Sequence, residues 1–322
     1  ITLGTIVLHA GATPSPGQAS EILPELPGGQ LAAGTALGPL GNRDGLSTPF
    51  STQGFTSTLA KRQGARSASD VVINDASVAT LFPRQSYRDV FRIRGFNYFS
   101  YNMLFMGLPG MLPKQRVLPQ NAERIELFKG PDTFLNGTVT GGTVGGSLNL
   151  IPKRASDTPV REVTLGYASD GQPSAHLDWG QRFGANDAFG VRANATWRDG
   201  DLTVDNQEER LGSLALGLDW RGDAVRLSAD LGWQNARTTA PDWTIVPSGA
   251  VIPDAPDGTS GLVQPWSWME TRGAFVVLGA EVDLSETWTA YAKGGYAHTE
   301  TEGVYTEMTG LQANGDFTWN AY

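Results

Sequence analysis

"VRLSADLGW", residues 225–233, sets Val225, Leu227, Ala229, Leu231 and Trp233 on one side of an extended chain and Arg226, Ser228, Asp230 and Gly232 on the other. Successive side chains of a strand point to opposite faces, so this period of two predicts a strand with one apolar face. Moving outward, "SLALGLDW" (213–220) sets Leu214, Leu216, Leu218 and Trp220 against Ser213, Ala215, Gly217 and Asp219, and "AFGVRANATW" (188–197) repeats the pattern with Phe189, Val191, Ala193, Ala195 and Trp197. A two-sheet sandwich in water would alternate in the same way. The connections separate the two folds. Strands are expected over about 160–168, 174–183, 188–198, 212–221, 224–234, 273–283 and 287–298. The links "FGAND" (183–187), "RGD" (221–223) and "LSET" (284–287) are tight, whereas "DGDLTVDNQEERLG" (199–212) and the stretch 235–272 are long. Tight turns at one end and long loops at the other are the pattern of an antiparallel membrane β-barrel. Trp197, Trp220, Trp233 and Trp288 near strand ends fit its aromatic girdles.

Composition agrees with a turn-rich β protein: 40 glycines, nine tryptophans and only 18% charged residues in 322. A net charge of -9 argues against a nucleic-acid partner. The absence of cysteine excludes thiol catalysis and zinc-thiolate sites, and the three histidines, His9, His176 and His298, have no ligand spacing. No protein metal site and no catalytic residue is expected. No apolar run reaches the length of a transmembrane helix, which leaves a barrel as the way to cross a bilayer. Ile1 follows no initiator methionine or basic leader, so a signal peptide already removed is expected.

Upstream of the strands the character differs. "ITLGTIVLHA" (1–10) is β-prone, and residues 11–49 are rich in Gly, Pro and Ala, which suits an extended tether. Residues 50–155 read as a small α+β domain. In it "SASDVVINDASVATLF" (67–82) opens a short helix capped by Ser69 or Asp70, while "FRIRGF" (91–96) and "AERIELFKGP" (122–131) read as strands. The glycine run "NGTVTGGTVGGSLNLIPKR" (136–154) invites comparison with a phosphate-binding loop. No helix follows it, however, and the Gly-Lys-Ser/Thr signature is missing. Gly141, Gly142, Gly145 and Gly146 are instead expected to serve positive φ and close backbone approach in a crowded place.

Taken together, "TLGTIVLHA" (2–10), "GPLGNRDGLSTPFS" (38–51), "GARSASDVVINDASV" (64–78), "FRIRGF" (91–96), "ERIELFKGPDTFLNG" (123–137) and "GGSLNLIPKR" (145–154) resemble the TonB-dependent outer-membrane receptors, in particular their ferric-siderophore branch. Two stretches depart from the usual pattern: Met106 stands where many relatives have an acidic residue before the glycine, and Gly4 where the TonB box often has Asp. The resemblance implies a TonB box at 1–10, a tether at 11–49, a plug domain at 50–155 seated in the lumen, and the first seven or eight strands of a barrel at 156–322. Plugged barrels have about 22 strands, so further strands beyond Tyr322 are expected.

The resemblance also implies a function: uptake of a ferric siderophore across the bacterial outer membrane, driven by a TonB-type periplasmic partner. The protein would sit in outer-membrane lipid as a monomer, with iron held by its chelator and no resident cofactor. The TonB-type partner would pair with Leu3, Gly4, Thr5, Ile6, Val7 and Leu8, an extended β-branched segment suited to strand addition. Ligand contacts are expected from Arg94, Asn97, Tyr98, Phe99, Tyr101 and Arg116 of the plug and from Trp243, Trp266 and Trp268 of the long third link, with plug-core packing as the competing reading for the aromatics. Arg94, Glu123, Arg124, Glu126, Lys129, Lys153 and Arg154 are expected to pair among themselves or with the lumen wall. Vitamin or saccharide uptake is the nearest alternative, and a secreted β-rich adhesin or carbohydrate-binding protein the alternative from another class.

Overall fold

The computed structural model describes residues 22–322 apart from 83, 85, 139–141, 169–170, 242–245, 248–256, 262, 313–315 and 317. The chain begins with two short strands, β1 (Gly34–Ala36) and β2 (Asn42–Asp44). They are followed by β3 (Ser51–Thr56), α1 (Ser57–Arg62), α2 (Ala68–Val72), β4 (Val78–Thr80), β5 (Val90–Ile93), β6 (Phe96–Phe99), β7 (Leu104–Phe105), β8 (Leu108–Pro109), β9 (Ala122–Lys129), α3 (Thr133–Asn136) and β10 (Gly146–Pro152). Ten later strands complete it among the described residues: β11 (Val160–Ala168), β12 (Gln172–Phe183), β13 (Phe189–Asp201), β14 (Glu208–Arg221), β15 (Val225–Thr239), β16 (Val246–Pro247), β17 (Trp268–Ser285), β18 (Trp288–Val304), β19 (Thr306–Leu311) and β20 (Thr318–Ala321), the last two beyond the main sheet. Among the described residues no helix is long and apolar enough to cross a membrane.

The N-terminal domain is built on a five-stranded sheet in the order β3-β9-β10-β7-β8, with a second sheet β4-β5-β6 beside it. Its core is where the apolar positions of these strands meet α1 and α2: Phe55, Val71, Val72, Phe91, Ile93, Tyr98, Met103, Ile125, Leu127, Leu148 and Leu150 are all buried. Thr56 caps α1 by accepting from the Leu59 amide at 3.3 Å. The cap of α2 is Ser67 rather than Ser69 or Asp70. Asp70 stands at the third helical position and reaches back to the Ser67 and Arg66 amides at 3.3 and 2.7 Å, which is the acidic half of a capping box. "FRIRGF" is a hairpin turn rather than one strand, with Arg94 (φ 51°) and Gly95 (φ 86°) between β5 and β6. The glycine run feeds β10, and its last pair lies against neighbouring backbone. A Cβ on Gly145 would stand 2.1 Å from the Ile93 carbonyl, and one on Gly146 2.2 Å from the Phe128 carbonyl.

The tether expected over 11–49 is folded from residue 22 onward. β1 pairs with β2, Leu31 faces Phe55 of β3, and Leu37 is buried against Phe128 and Leu135. Its glycines and prolines turn a short hairpin onto the edge of the five-stranded sheet, and backbone pairing provides what apolar side chains do not.

Strands β11 to β15, β17 and β18 form one antiparallel meander of seven strands, β16 lying in the link between β15 and β17. Its strands match the expected ones but run further toward the long-link end. The register aligns the rows Val191↔Leu218↔Ala229↔Leu278, Ala193↔Leu216↔Leu231↔Val276 and Ala195↔Leu214↔Trp233↔Ala274, whose members face away from the N-terminal domain. Val163, Leu165, Leu214, Leu227, Leu231, Trp233 and Leu278 are each more than two-fifths exposed there. The opposite face carries Asp178, Arg182, Arg192, Arg198, Glu209, Asp230 and Gln234, all buried beneath the N-terminal domain. Apolar outside and polar inside inverts the arrangement of a soluble sandwich.

Candidate ligand face and plug anchorage

The chain around Asp89, Ser100 and Gln115 is drawn together, the Asp89 amide donating to the Gln115 carbonyl at 2.8 Å, and Arg116 joins it to Glu209 of β14. β6 runs into a single 3-10 turn (Ser100–Asn102), which brings Phe99 and Tyr101 together: their rings stack at 5.1 Å with an interplanar angle of 7°. Ser100, between them, is buried. Its hydroxyl donates to the Gln115 carbonyl at 3.1 Å and also reaches the Lys114 carbonyl, so the aromatic pair is fixed beside an exposed lysine. Tyr101 is 39% exposed and Phe99 half-buried. Arg94 and Asn97 are exposed on the β5–β6 hairpin, where Asn97 accepts from Arg92 Nε at 3.3 Å. A flat aromatic pair beside a lysine-bearing segment can stack on, and attract, a planar polar ligand, while Arg94 stands at the other end of the hairpin.

Three of the expected ligand contacts, Tyr98, Arg116 and Trp268, lie elsewhere. Tyr98 is a core residue, 2% exposed. Its hydroxyl donates to the Asn102 carbonyl at 2.6 Å and accepts from the Leu148 amide at 3.3 Å, and burial pushes the phenol's pKa up. It alternates inward on β6 while its neighbours alternate outward. Arg116 is also buried, because it anchors the domain to the wall. Its guanidinium donates to Glu209 Oε1 of β14 at 3.0 Å, to the Arg84 carbonyl at 3.0 Å and to the Ser86 carbonyl, and Asp89 Oδ1 stands 3.6 Å from its Nε. Arg66 holds the other oxygen of Glu209 at 2.7 Å, and Gln234 of β15 donates to the Arg116 carbonyl at 3.0 Å. Burial pushes the Asp89 carboxyl up to about 6, with the Arg116 charge opposing the rise.

Trp268 opens β17 opposite Thr239, on the outward row, with Arg237 over its ring at 4.1 Å. That is the position of an interfacial aromatic rather than of a ligand cap. Trp266 is 58% exposed in the preceding link. Trp243 and the box residues Leu3 to Leu8 lie outside the described residues.

Of the charges expected to pair, Lys129 meets Asp75 at 2.6 Å, Lys153 meets Asp178 of β12 at 2.8 Å, and Arg154 pairs with Asp230 of β15. Arg124 and Glu126 take uncharged hydrogen-bond partners instead: Arg124 donates to the Leu23 carbonyl, and Glu126 accepts from the Ala36 amide at 3.1 Å and from Asn149 Nδ2 at 3.0 Å. Burial pushes Glu126 up to about 7, the hydrogen bonds from Asn149 and Ala36 opposing it. The wall partners Asp178, Asp230 and Gln234 lie within expected strands, on the inward side, although the sequence does not single them out as site residues, and Glu209 falls in the expected long link 199–212. Among the described residues no group of three or more His, Asp or Glu is arranged to hold a metal ion.

Residues 44–144 match the model of the TonB-dependent receptor plug domain. Over 301 residues the chain is 39% identical to the ferrichrome receptor FcuA of Yersinia enterocolitica, an alignment covering 93% of this chain and 40% of that one. The ferric preacinetobactin receptor BauA of Acinetobacter baumannii superposes with a TM-score of 0.86 at 33% identity, over 91% of this chain and 44% of the other. The pyoverdine receptor FpvA of Pseudomonas aeruginosa, at 18% identity and a TM-score of 0.77 over 91% of this chain and 40% of its own, shares the fold. The chain thus spans less than half the length of these relatives.

Proposed function

The chain belongs to the TonB-dependent receptor family, and from that premise we propose that it supplies the plug and part of the barrel wall of an outer-membrane receptor that takes up a ferric siderophore. The observation that carries the reading is the double-faced sheet. Its outer side is apolar, and its polar inner side is occupied by a domain held through Arg116–Glu209, Lys153–Asp178 and Arg154–Asp230. A charged inner wall in a low-dielectric enclosure needs such partners, and a plug provides them.

The two relatives above 30% identity are named for ferrichrome and ferric preacinetobactin, which supports an iron chelate as the cargo. Phe99 and Tyr101 are the ligand platform on this reading, with Arg94, Asn97 and Lys114 as polar contacts. Arg116 acts one layer below, fixing the segment that carries Lys114. The chelator holds the iron, so the protein contributes shape, stacking and charge. Residues 3–8 are the segment a TonB-type partner pairs with, and pulling there delivers the energy.

The test uses the full receptor in outer membranes with ferrichrome and a ferric catecholate as probes. Tryptophan fluorescence should report binding of one of them, and Tyr101→Ala should weaken it at least tenfold. Deleting residues 1–10 should abolish uptake and leave binding intact. Loss of both together, or binding of cobalamin or an oligosaccharide in place of any ferric chelate, overturns the proposal.

A further inference from the structure

The plug is fastened to the wall unevenly. On β12, β14 and β15 it is held by buried partners: Lys153 with Asp178, Arg116 with Glu209 and Arg154 with Asp230, and Asn121 Nδ2 donates to Ser213 Oγ at 3.1 Å. On β17, Val277 belongs to the plug's own apolar core and Phe275 packs against it. Breaking a buried pair strands a charge away from water, so these contacts hold. The boundary with β11 is different. Among the described residues one ion pair joins that strand to the plug, Lys61 of α1 with Glu162, and the two side chains are 60% and 37% exposed. A pair as wet as this is screened by salt and changes partner readily.

Both residues of that pair line a cavity of about 1510 Å³ between the plug and the wall. Gln120 lines it beside Lys61 on the plug side, and Thr164 and His176 beside Glu162 on the wall side. The lining reaches from Gln172, next to the β11–β12 link, to Arg221 and Asp223 at the tight β14–β15 turn, and so runs from one end of the wall to the other. Ligand pockets run to about 300–1,000 Å³, so a chelate fits here without the plug leaving the lumen. Among the described residues the lining carries nine Lys or Arg against six Asp or Glu, in a chain whose totals are 24 and 33. The sign of the charge is thus reversed inside the cleft. An excess of one sign between low-dielectric walls concentrates ions of the other.

We propose that this cleft, between α1 and strands β11 and β12, is the route by which an anionic chelate passes the plug, with the Lys61–Glu162 pair as the bar across it. The proposal rests on the reading of the chain as part of a ferric-chelate transporter, and adds to it the side of the plug and the charge of the cargo. The bar opens by exchange: an anionic group of the chelate takes the place of Glu162 on Lys61. The Thr164 hydroxyl donates to Glu162 Oε1 at 3.1 Å and keeps that carboxylate on the wall when the lysine changes partner. The buried pairs with Asp178, Glu209 and Asp230 stay closed, so the plug keeps its seat on the rest of the described wall while the cargo moves past α1.

The experiment uses the full receptor in outer membranes with a ferric catecholate, which is anionic, as the cargo. The chain has no cysteine, so introduced thiols can be addressed in pairs. Lys61→Cys with Glu162→Cys, bridged by a reducible bifunctional thiosulfonate, should abolish uptake, leave binding intact and regain uptake on reduction. Asn121→Cys with Ser213→Cys, oxidised to a disulfide, ties the plug to β14 instead and should leave uptake unchanged. Uptake through the first tether, or its loss under the second, overturns the route. The charge of the cleft is read without transport. His176→Cys should react about tenfold faster with an anionic than with a cationic thiosulfonate, each rate taken relative to a free thiol, and the preference should shrink as salt is raised. Glu162→Gln, which removes the bar, should raise the anionic rate further. Equal relative rates, or no response to Glu162→Gln, overturn the proposal. A cleft that reacts in this way in a receptor that takes up no ferric chelate removes the transport reading and leaves the anion route standing.

Discussion

Asp89 occupies the corner where the plug meets the wall, beside Arg116 and facing Asp70, Ser67 and Ser69. Its ordinary pKa is near 3.8 and burial holds it up at about 6, so the folded protein binds this proton more tightly than the unfolded chain does. The stabilisation is complete below about pH 3.8 and is lost as pH rises through 6. Other carboxylates of the plug such as Asp75, held down in spite of burial by hydrogen bonds from Lys129 and Ser77, act with the opposite sign. The measurable quantity is therefore a difference. Thermal unfolding of the receptor and of its Asp89→Asn variant in detergent, compared from pH 4 to 8, should show the wild type losing ground to the variant up to about pH 6.5 and holding level above it. A constant difference would mean that Asp89 is charged throughout. The sequence displays Arg116 as a cation near aromatics, which is why ligand contact is its natural reading there. Depth is not written in residue type, and only the inward position of Gln234 at the end of an expected strand hints that a plug cation must find partners, Glu209 falling in the expected link 199–212.

Strands β13 to β15 were legible because hydrocarbon-facing and lumen-facing residues alternate, and a two-residue period survives any registration. Their upper ends were less so. Glu208 and Arg210 of β14, Asn235 and Arg237 of β15, and Glu300 and Glu302 of β18 continue the ladder above the apolar rows, where the outward face is wet and alternation loses its contrast. Residues 22–37 read as a tether for a related reason: backbone bonds to β3 and hydrogen bonds from Arg124 and Glu126 of β9 order them, and neither leaves a periodic mark. One inward glycine shows what the elements require of each other. A Cβ on Gly232 would stand 2.0 Å from the Phe275 ring, which crosses that notch to meet Phe105 of the plug at 5.0 Å. Gly232→Val should push Phe275 aside, loosen the β17 contact with β7 and cost about 1–3 kcal/mol. Faster amide exchange confined to β7, β8 and β17, with β11 to β13 unchanged, is the expected signature.

At the scale of the molecule, the outward rows from Phe189↔Trp220 to Trp197↔Gly212 contain no Asp, Glu, Lys or Arg on β13, β14 or β15; Arg272 of β17 stands in the last of them, and the next row, Asp199, Arg210, Arg237 and Glu270, is charged on all four strands. Eight residues of β13 separate those limits. That is about 26 Å along the strand at ~3.3 Å per residue, and roughly 20 Å along the normal for a tilt of ~40°, close to the ~25 Å lipid-facing band of outer-membrane barrels. A bilayer would make the cost of a charge depend on depth; neither water nor a second protein sheet grades it that way. Leu231 lies in the middle row and Leu227 beside the tight turn, and the two are almost equally exposed at 42% and 46%. Leu231→Arg should therefore destabilise the receptor in vesicles by about 2–4 kcal/mol and Leu227→Arg by about 0–1 kcal/mol. Reversible denaturant titration of both variants reads the gap. Equal penalties would place this face against something other than lipid and leave the polar lumen, and the plug within it, without an explanation.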